Sequence, residues 1–286
     1  MAVWTASVLT QNMYLGADLA PLVLAADREA FLHAEREALA EVRSADPEGR
    51  VAALAAIIAR AAPDVVALQE VAAWDFGDGT ACHFLPLLLA GLPGYRPVAA
   101  APTMALEAPA WAQRRTRLAV SNAILARTTA AIGLTRDGVF QAGHTIPSPM
   151  LGEVRVARSW CAVQASGAWF VNTHLDDLSP EVQLAQAQEL LAVLAEMEDP
   201  LVVAGDFNSN AAKGAGATPA YPALLAAALA DAWPARHPGE AGPTWAGQRL
   251  DLVLTRGEVA VDAVTILAPG ISSDHAGLLA ELRFRV

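Results

Sequence analysis

The stretch Leu201-Val202-Val203-Ala204-Gly205-Asp206-Phe207-Asn208 places four apolar residues directly before a glycine, an acid and an amide. A short apolar run bounded by turn-forming residues predicts a buried β-strand, here ending at Gly205. Upstream, Ser179-Pro180-Glu181 predicts a helix N-terminus, because serine caps a helix and proline fits its first turn; the helix extends to about Met197. A helix followed by a buried strand indicates an α/β layer.

The first half of the chain has the same order of elements. Arg50–Ala61 predicts a helix, Pro63-Asp64 ends it, and Val65–Leu68 predicts a short buried strand that ends at Gln69-Glu70. The order strand, helix, strand, hairpins therefore occurs twice along the chain. This pattern resembles a duplication of one half of the fold. We expect two sheets packed between helices, within one domain over residues 1–286.

The middle of the chain predicts mainly short strands. Thr80–Ala90 predicts a helix and Tyr95–Ala100 a strand, whereas Ala101–Gln113 predicts a loop. The remaining predicted strands are Val3–Gln11, Leu118–Ala126, Ala131–Phe140, Glu153–Gln164, Ala168–Asn172, Leu250–Thr255, Val259–Leu267 and Gly277–Phe284.

Charge and composition narrow the classes of function. The net charge is −11, with 19 Lys+Arg against 30 Asp+Glu. A protein that holds a long phosphate backbone usually presents a basic face, so nucleic acid is possible as a partner but not favoured by charge. No apolar run is long enough for a membrane span, and the start lacks a signal-type pattern, so we expect a cytoplasmic protein unless a leader was removed. Cys82 and Cys161 predict two buried free thiols, which fits a reducing compartment.

Polar residues recur where the predicted strands end. Strand ends on one edge of a sheet converge, so these side chains can share one pocket. Carboxylate and amide oxygens without thiolates suit Mg²⁺ or Mn²⁺, and histidines among them suit phosphate contact and proton transfer. The residues concerned are Asn12, Glu70, His174, Asp206, Asn208, Asp251, Asp274 and His275.

The chain resembles the endonuclease/exonuclease/phosphatase superfamily in five short motifs that keep that family's order. Each motif alone is weak, but together they extend over nearly the whole chain. They are Gln69-Glu70, Asn172-Thr173-His174-Leu175, Gly205-Asp206-Phe207-Asn208, Leu250-Asp251 and Ser273-Asp274-His275. The segment Asn12–Leu19 also resembles a bacterial subgroup of uncharacterised hydrolases. The resemblance implies a four-layer α/β sandwich, with two mostly antiparallel sheets face to face and helices outside.

The resemblance also implies a metal side of the site. Glu70 matches the main metal-binding glutamate of the family, and Asn12 matches an asparagine that supports the metal end. Asp274 matches a metal-side carboxylate. The expected cofactor is Mg²⁺ or Mn²⁺.

The remaining motif residues match groups that act on water and phosphate. Asp206 matches the acid that orients or deprotonates the attacking water, and Asn208 the amide that holds the phosphate or that water. His174 matches a histidine near the phosphate and leaving group. His275 matches a histidine that binds the phosphoryl oxygen or moves a proton, and Asp251 the acid that fixes its imidazole.

Two further residues match weaker family positions. Asn122, in Ser121-Asn122-Ala123-Ile124-Leu125, matches a family strand, and Arg158 matches an arginine that contacts phosphate or the edge of the site. Both are candidates for phosphate binding. Trp74 and Trp111 are interpreted either as core residues or as the lining of an apolar substrate pocket.

Departures from the family pattern bear on the substrate. Gln183 stands where the family often has an arginine, and the tyrosine and basic loops of abasic-site endonucleases have no match. Three functions stay open: a hydrolase of a small or lipid-like phosphoester acting by in-line water attack, a nuclease on DNA or RNA, and a member recruited to non-hydrolytic biosynthetic chemistry. An intact motif set argues against a pocket used only for binding.

Overall fold

A computed structural model of the protein describes residues 3–285. The strands are β1 (Val3–Asn12), β2 (Val65–Asp75), β3 (Ala81–His83), β4 (Tyr95–Glu107), β5 (Arg117–Arg127), β6 (Ile132–Val139), β7 (His144–Ser148), β8 (Gly152–Val156), β9 (Ser159–Ala165), β10 (Ala168–His174), β11 (Leu201–Asp206), β12 (Ala230–Asp231), β13 (Asp251–Arg256), β14 (Val259–Leu267) and β15 (Gly277–Arg285). The helices are α1 (Ala20–Val23), α2 (Arg28–Ser44), α3 (Pro47–Ala61), α4 (Phe84–Ala90), α5 (Pro180–Ala195), α6 (Ala220–Ala226) and α7 (Ala232–Arg236), with a 3-10 helix at Ala211–Gly216.

Two large sheets dominate the structure. The first has seven strands in the order β14-β15-β1-β2-β5-β4, with β3 paired to β2. The second has six strands in the order β12-β13-β11-β10-β9-β6, and β7 and β8 form a separate hairpin. The pairs β1–β2 and β10–β11 are parallel, while the other strand pairs of the two sheets are antiparallel. Both sheets are therefore mostly antiparallel, as predicted.

The apolar core has three layers that fix the order of the sheets and helices. Between the sheets lie residues of both, including Val8, Ile124, Phe170 and Val253. A second cluster joins the first sheet to α2, α3 and α4, and a third joins the second sheet to α5 and α6. The predicted four-layer sandwich with helices outside is confirmed.

Local sequence explains where the long helices begin. Asp27 accepts a hydrogen bond from the amide of Ala30 at the start of α2, and Ser179 accepts one from Val182 at the start of α5. Such caps satisfy amides that have no partner inside the helix. The helix start predicted at Ser179-Pro180 is confirmed.

Three predictions for the middle of the chain were wrong. The single strand predicted at Glu153–Gln164 is two strands, since β8 ends at Val156 and β9 begins at Ser159 in another sheet. The segment predicted as a loop, Ala101–Gln113, belongs to β4 as far as Glu107, because β5 pairs with it along this length. Register shifts at Pro97/Ala99 and Pro102/Met104 interrupt the alternation that would have revealed the strand. The helix predicted from Thr80 begins only at Phe84, since Ala81–His83 pairs with β2.

Two smaller expectations concern the cysteines and the membrane. Cys82 and Cys161 are free and buried, as predicted. Within residues 3–285, none of the helices is both long and apolar enough to cross a membrane.

Candidate active site

The strand register brings the predicted site residues together at one edge of the sandwich. His174 lies opposite Asp206, and Asp206 lies opposite Asp251, at the ends of β10, β11 and β13. Here a cleft of about 470 Å³ opens. It is lined by Asn12, Tyr14, Leu15, Ala17, Glu70, His174, Asp177, Asp206, Asn208, Trp245, Gln248, Leu250, Asp274 and His275.

Asp206 lies at the bottom of the cleft, and only 1% of its surface is exposed. One carboxylate oxygen accepts a hydrogen bond from the backbone amide of Asn208 (3.0 Å), and the other accepts one from the Asn12 side chain (3.1 Å). Burial, together with the nearby Asp251 carboxylate, raises the pKa of Asp206 to about 7. A carboxylate with such a pKa can accept a proton near neutral pH.

His275 is held by a buried acid. Its Nδ1 lies 2.8 Å from an oxygen of Asp251, which leaves Nε2 on the cleft side, 3.9 Å from Asp206. Burial alone would lower the pKa of His275. The hydrogen bond and charge of Asp251, with the charges of Asp206 and Asp274, outweigh burial and raise it to about 9. This environment favours the protonated form of His275.

His174 has the opposite ionisation state. Burial, with the positive charges of Arg158 and His275, holds the pKa of His174 well below its ordinary value. A guanidinium nitrogen of Arg158 lies 3.3 Å from Nδ1. Because a guanidinium can only donate, Nδ1 faces a donor, and so does the other ring nitrogen, Nε2. That nitrogen lies 3.6 Å from an Asp206 oxygen and 3.1 Å from the Asn208 amide nitrogen.

The candidate metal side is formed by Asn12 at the end of β1, Glu70 in β2 and Asp274 before β15, with support from the loop after β1. Asn12 donates to one oxygen of Glu70 (3.2 Å), and the amide of Leu15 donates to the other (2.8 Å). Asp274, across the cleft, accepts a hydrogen bond from the indole of Trp245 (3.0 Å). The donor set is made of carboxylate and amide oxygens, while both cysteines lie in the core. These donors fit a hard cation such as Mg²⁺ or Mn²⁺.

A second group of ligand atoms lies close by. Asp206, Asp251 and His275 each offer one atom, and these atoms lie within 4.8 Å of one another. In this group the Nδ1 of His275 is already bonded to Asp251. We therefore interpret the group as a hydrogen-bonded relay rather than a ligand set.

The backbone is strained at the site. Tyr14, Glu70 and Asn208 all have positive φ angles, of 57°, 54° and 50°. Left-handed conformations are costly for residues other than glycine and persist where the surroundings enforce them. At these three positions the strained backbone conformation directs a side chain that lines the cleft.

A buried arginine that the sequence analysis did not single out supports this loop. Arg50 is 7% exposed, and its guanidinium donates to the main-chain oxygens of Met13 (2.8 Å) and Tyr14 (2.9 Å). The same guanidinium lies 4.9 Å from the centre of the Tyr14 ring. Since Leu15 of this loop donates to Glu70, Arg50 positions a candidate metal ligand through the backbone.

A buried polar network joins the two sheets beneath the cleft. The Gln69 amide donates to Asn172 (2.7 Å), and the Asn172 amide donates to the main-chain oxygens of Leu68 (2.8 Å) and Ala123 (2.9 Å). A fully bonded buried network specifies one arrangement of the elements it joins. It fixes β2, which carries Glu70, relative to β10.

Most predicted site residues line the cleft, but three lie behind it. Asp251 supports His275, and Arg158 supports His174. Asn122 is fully buried, and its amide donates to the main-chain oxygen (2.9 Å) and hydroxyl (3.1 Å) of Ser159. Asn122 is thus placed to brace β9 rather than to touch a ligand in the cleft.

The aromatic lining differs from the sequence-based interpretation. Trp74 is buried, and its indole donates to the main-chain oxygen of Leu15 (2.9 Å), while Trp111 packs against Phe31. Neither lines the cleft, so the interpretation as a pocket lining was wrong, whereas Trp74 is a core residue as the other interpretation expected. Trp245 does line the cleft, with its ring 6.0 Å from that of His275. The sequence signal that could have identified Trp245 is its position four residues before Arg249-Leu250-Asp251.

Comparison with known proteins agrees with this geometry. Residues 9–275 match the profile of the Endonuclease/Exonuclease/phosphatase family. A family protein from Bacteroides vulgatus has 17% identity, covers 99% of this chain and 100% of its own, and has a TM-score of 0.59. One from Beutenbergia cavernae has 22% identity, covers 98% and 72%, and has a TM-score of 0.66. The human Nocturnin catalytic domain has 19% identity, covers 98% and 95%, and has a TM-score of 0.59. Among curated proteins, no sequence matches the chain.

Proposed function

Because the chain belongs to the endonuclease/exonuclease/phosphatase family, we propose that it is a divalent-metal-dependent phosphoester hydrolase acting on a small or lipid-like phosphoester. The family includes phosphodiesterases, nucleases and phosphatases. The observation that carries the proposal is the convergence of Glu70, Asp206 and His275 on one cleft, with His275 held by Asp251. In this cleft the pKa values of Asp206 and His275 are raised, whereas the pKa of His174 is lowered. Groups whose environments push their pKa values apart are suited to acid and base roles.

The metal-side residues supply the electrostatic part of this chemistry. Glu70 and Asp274, with Asn12 in support, would hold Mg²⁺ or Mn²⁺. When bound, the cation would neutralise charge on the phosphoryl oxygens and on the leaving oxygen.

The protein's own groups account for the proton movements. Asp206, when ionised, accepts a proton from a water placed in line with the phosphorus, and Asn208 holds that water or a phosphoryl oxygen. His275 donates from Nε2 to a phosphoryl oxygen, while Asp251 keeps its ring oriented. Nε2 of His174 lies beside Asp206 and Asn208, where the ring would serve the phosphate and leaving group.

Charge favours a compact or amphiphilic substrate over a nucleic acid. The cleft lining contains the acids Glu70, Asp177, Asp206 and Asp274. Arg158, the arginine nearest His174, is occupied by that ring and by Asp177. A polyanion would therefore find little free positive charge beside the reacting phosphate.

The experiment is hydrolysis of bis(p-nitrophenyl) phosphate and p-nitrophenyl phosphate with Mg²⁺, Mn²⁺ or EDTA. Wild type is compared with His275→Ala and with His33→Ala, which changes an exposed histidine on α2. We expect metal-dependent turnover that His275→Ala abolishes and His33→Ala retains. The preferred ester distinguishes a diesterase from a monoesterase, and plasmid nicking tests the nuclease alternative. Turnover that survives both EDTA and His275→Ala would overturn the proposal.

A further inference from the structure

A second, larger concavity lies beside the candidate active site. It encloses about 1120 Å³ along the edge strand β4, and we call it the β4 groove. Its floor consists of residues from β2, β4 and β5. One wall is Leu85-Pro86 at the start of α4, and the opposite wall is the segment from Leu151 to Arg155 around β8.

Small side chains make the floor flat and apolar. Ala73 lies opposite Ala119 in the β2–β5 pair, and Ala119 lies opposite Ala105 in the β5–β4 pair. Directly opposed residues project from the same face of a sheet, so the three methyl groups form one strip. Ala105 and Ala119 are both exposed, and all three alanines line the groove.

The groove adjoins the cleft at one point along the chain, and at two more points it adjoins residues that lie behind the cleft. Val71 of the groove directly follows Glu70, Ser121 directly precedes Asn122, and Ala157 directly precedes Arg158. Consecutive Cα atoms are about 3.8 Å apart. The inner end of the groove therefore starts beside the residues that form the metal side and the Arg158 side of the cleft.

The charge of the groove decides what kind of group fits. Its charged lining residues are Glu107, Glu153 and Arg155, besides His83, and the rest is mostly Ala, Val, Leu, Met and Pro. A nucleic-acid strand would need a positively charged track. A large apolar concavity next to a polar site instead suits a ligand with one charged end and one apolar end.

We propose that the β4 groove binds the apolar arm of the substrate, so that the natural substrate is a phosphoester of an amphiphile with an alkyl or acyl chain. The inference rests on the proposed function for the phosphate end, and it adds a binding site for the other end. The phosphate sits between His275 and Glu70, and the chain lies over the strip of alanines. Each methylene buried there raises the specificity constant by up to about fourfold.

The test uses alkyl p-nitrophenyl phosphates with methyl, hexyl and decyl arms, below their micelle concentrations. For wild type we expect kcat/KM to rise steeply with chain length. Ala119→Trp fills the floor of the groove and should remove this dependence while leaving the methyl ester unchanged. Ala105→Trp, on the neighbouring strand, repeats the block if Ala119→Trp folds poorly.

The matched control is Ala260→Trp, at an exposed position of β14 on the opposite edge of the same sheet. It should keep the chain-length dependence of wild type. A dependence that persists in a folded Ala119→Trp protein, or is lacking in wild type while the methyl ester is hydrolysed, overturns the proposal.

Binding separates failure of the groove from failure of the hydrolase assignment. Decyl phosphate is titrated calorimetrically into wild type and Ala119→Trp, with Mn²⁺ and with EDTA. If no ester is hydrolysed but only wild type binds decyl phosphate, the groove proposal stands and the hydrolase proposal fails. If both proteins bind it equally, or neither does, the groove proposal fails whatever the turnover.

Discussion

Replacing Asp206 by asparagine should abolish turnover and, at alkaline pH, stabilise the fold. The carboxyl group is buried, and its pKa is raised from 3.8 to about 7. The folded state therefore binds the Asp206 proton more tightly than the unfolded state does. The contribution of this group to stability is greatest below pH 4 and is lost as pH rises through 7.

The magnitude follows from the two pKa values. A shift of this size costs the folded protein about 4 kcal/mol once Asp206 is fully ionised, but only about 2 kcal/mol at pH 5. Asparagine carries no such charge. The advantage of Asp206→Asn in unfolding free energy should therefore grow by about 2–3 kcal/mol between pH 5 and pH 8.

One local contact changes the unfolding free energy of Asp206→Asn by the same amount at every pH, so it does not alter the pH dependence. The Asn12 side chain donates to one Asp206 oxygen at 3.1 Å, and an amide nitrogen placed there would face another donor. That unsatisfied contact costs about 1–3 kcal/mol at every pH. The net gain at pH 8 is then about 1–3 kcal/mol, and the pH dependence is the quantity to measure.

The assay is urea unfolding from pH 5 to pH 8 in EDTA, followed by the fluorescence of the seven tryptophans. Asp137→Asn, which changes an exposed acid on β6, serves as the control and should track wild type. The unfolding free energies of Asp206→Asn and wild type should diverge as pH rises. A constant difference across this range would refute the idea that Asp206 is a desolvated carboxylate.

Three further predictions concern the surroundings of the site. In Asp251→Asn the pKa of His275 should fall by about 1–3 units, because the anion that is hydrogen-bonded to its ring is lost. NMR titration of the imidazole would measure this fall. The basic limb of the pH profile of kcat/KM should move to lower pH as well. Gly205→Ala should destabilise the fold by about 3 kcal/mol or more, since a Cβ there would stand 2.1 Å from a main-chain oxygen of β10; Gly94→Ala, in open space, should be near neutral in the same denaturation assay. Arg50→Met should weaken Mn²⁺ binding about tenfold, because it frees the loop that positions the candidate ligands. Arg50→Lys should restore part of the affinity. Electron paramagnetic resonance of Mn²⁺ measures both effects. An unchanged pKa, a stable alanine variant or an unchanged Mn²⁺ affinity would each contradict the corresponding geometry.

Much of the candidate site could be inferred from residues that end strands. Asp206 and His174 each follow a short apolar run, and their strands pair in parallel. The local pattern was therefore enough to predict that these two side chains lie close together. Asn122 shows the limit of this reasoning. It ends no strand and stands inside β5, and only the packing of β9 against it shows that its amide is used internally.

The fold was predictable where the hydrophobic pattern was regular. Helix α5 was inferred from its serine cap and proline placement, and α3 from its pattern over Arg50–Ala61, although α3 begins at Pro47. The second half of β4 was missed, because bulges broke its alternation and its partner lies across a sequence gap. Trp245 was not among the predicted site residues, because its place in the cleft depends on the loop that carries it toward Asp274.

The sequence by itself determined the two α/β halves, the order of the motifs and the chemistry of the donor set, because these depend on residue type and short-range spacing. Only the tertiary structure decided the protonation states of His174, Asp206 and His275, since a pKa depends on burial and on charges brought close by distant segments. The tertiary structure alone also revealed the β4 groove. Its floor is built from three strands whose alanines become neighbours only through long-range pairing, and the space above them is set by a hairpin that local sequence does not position.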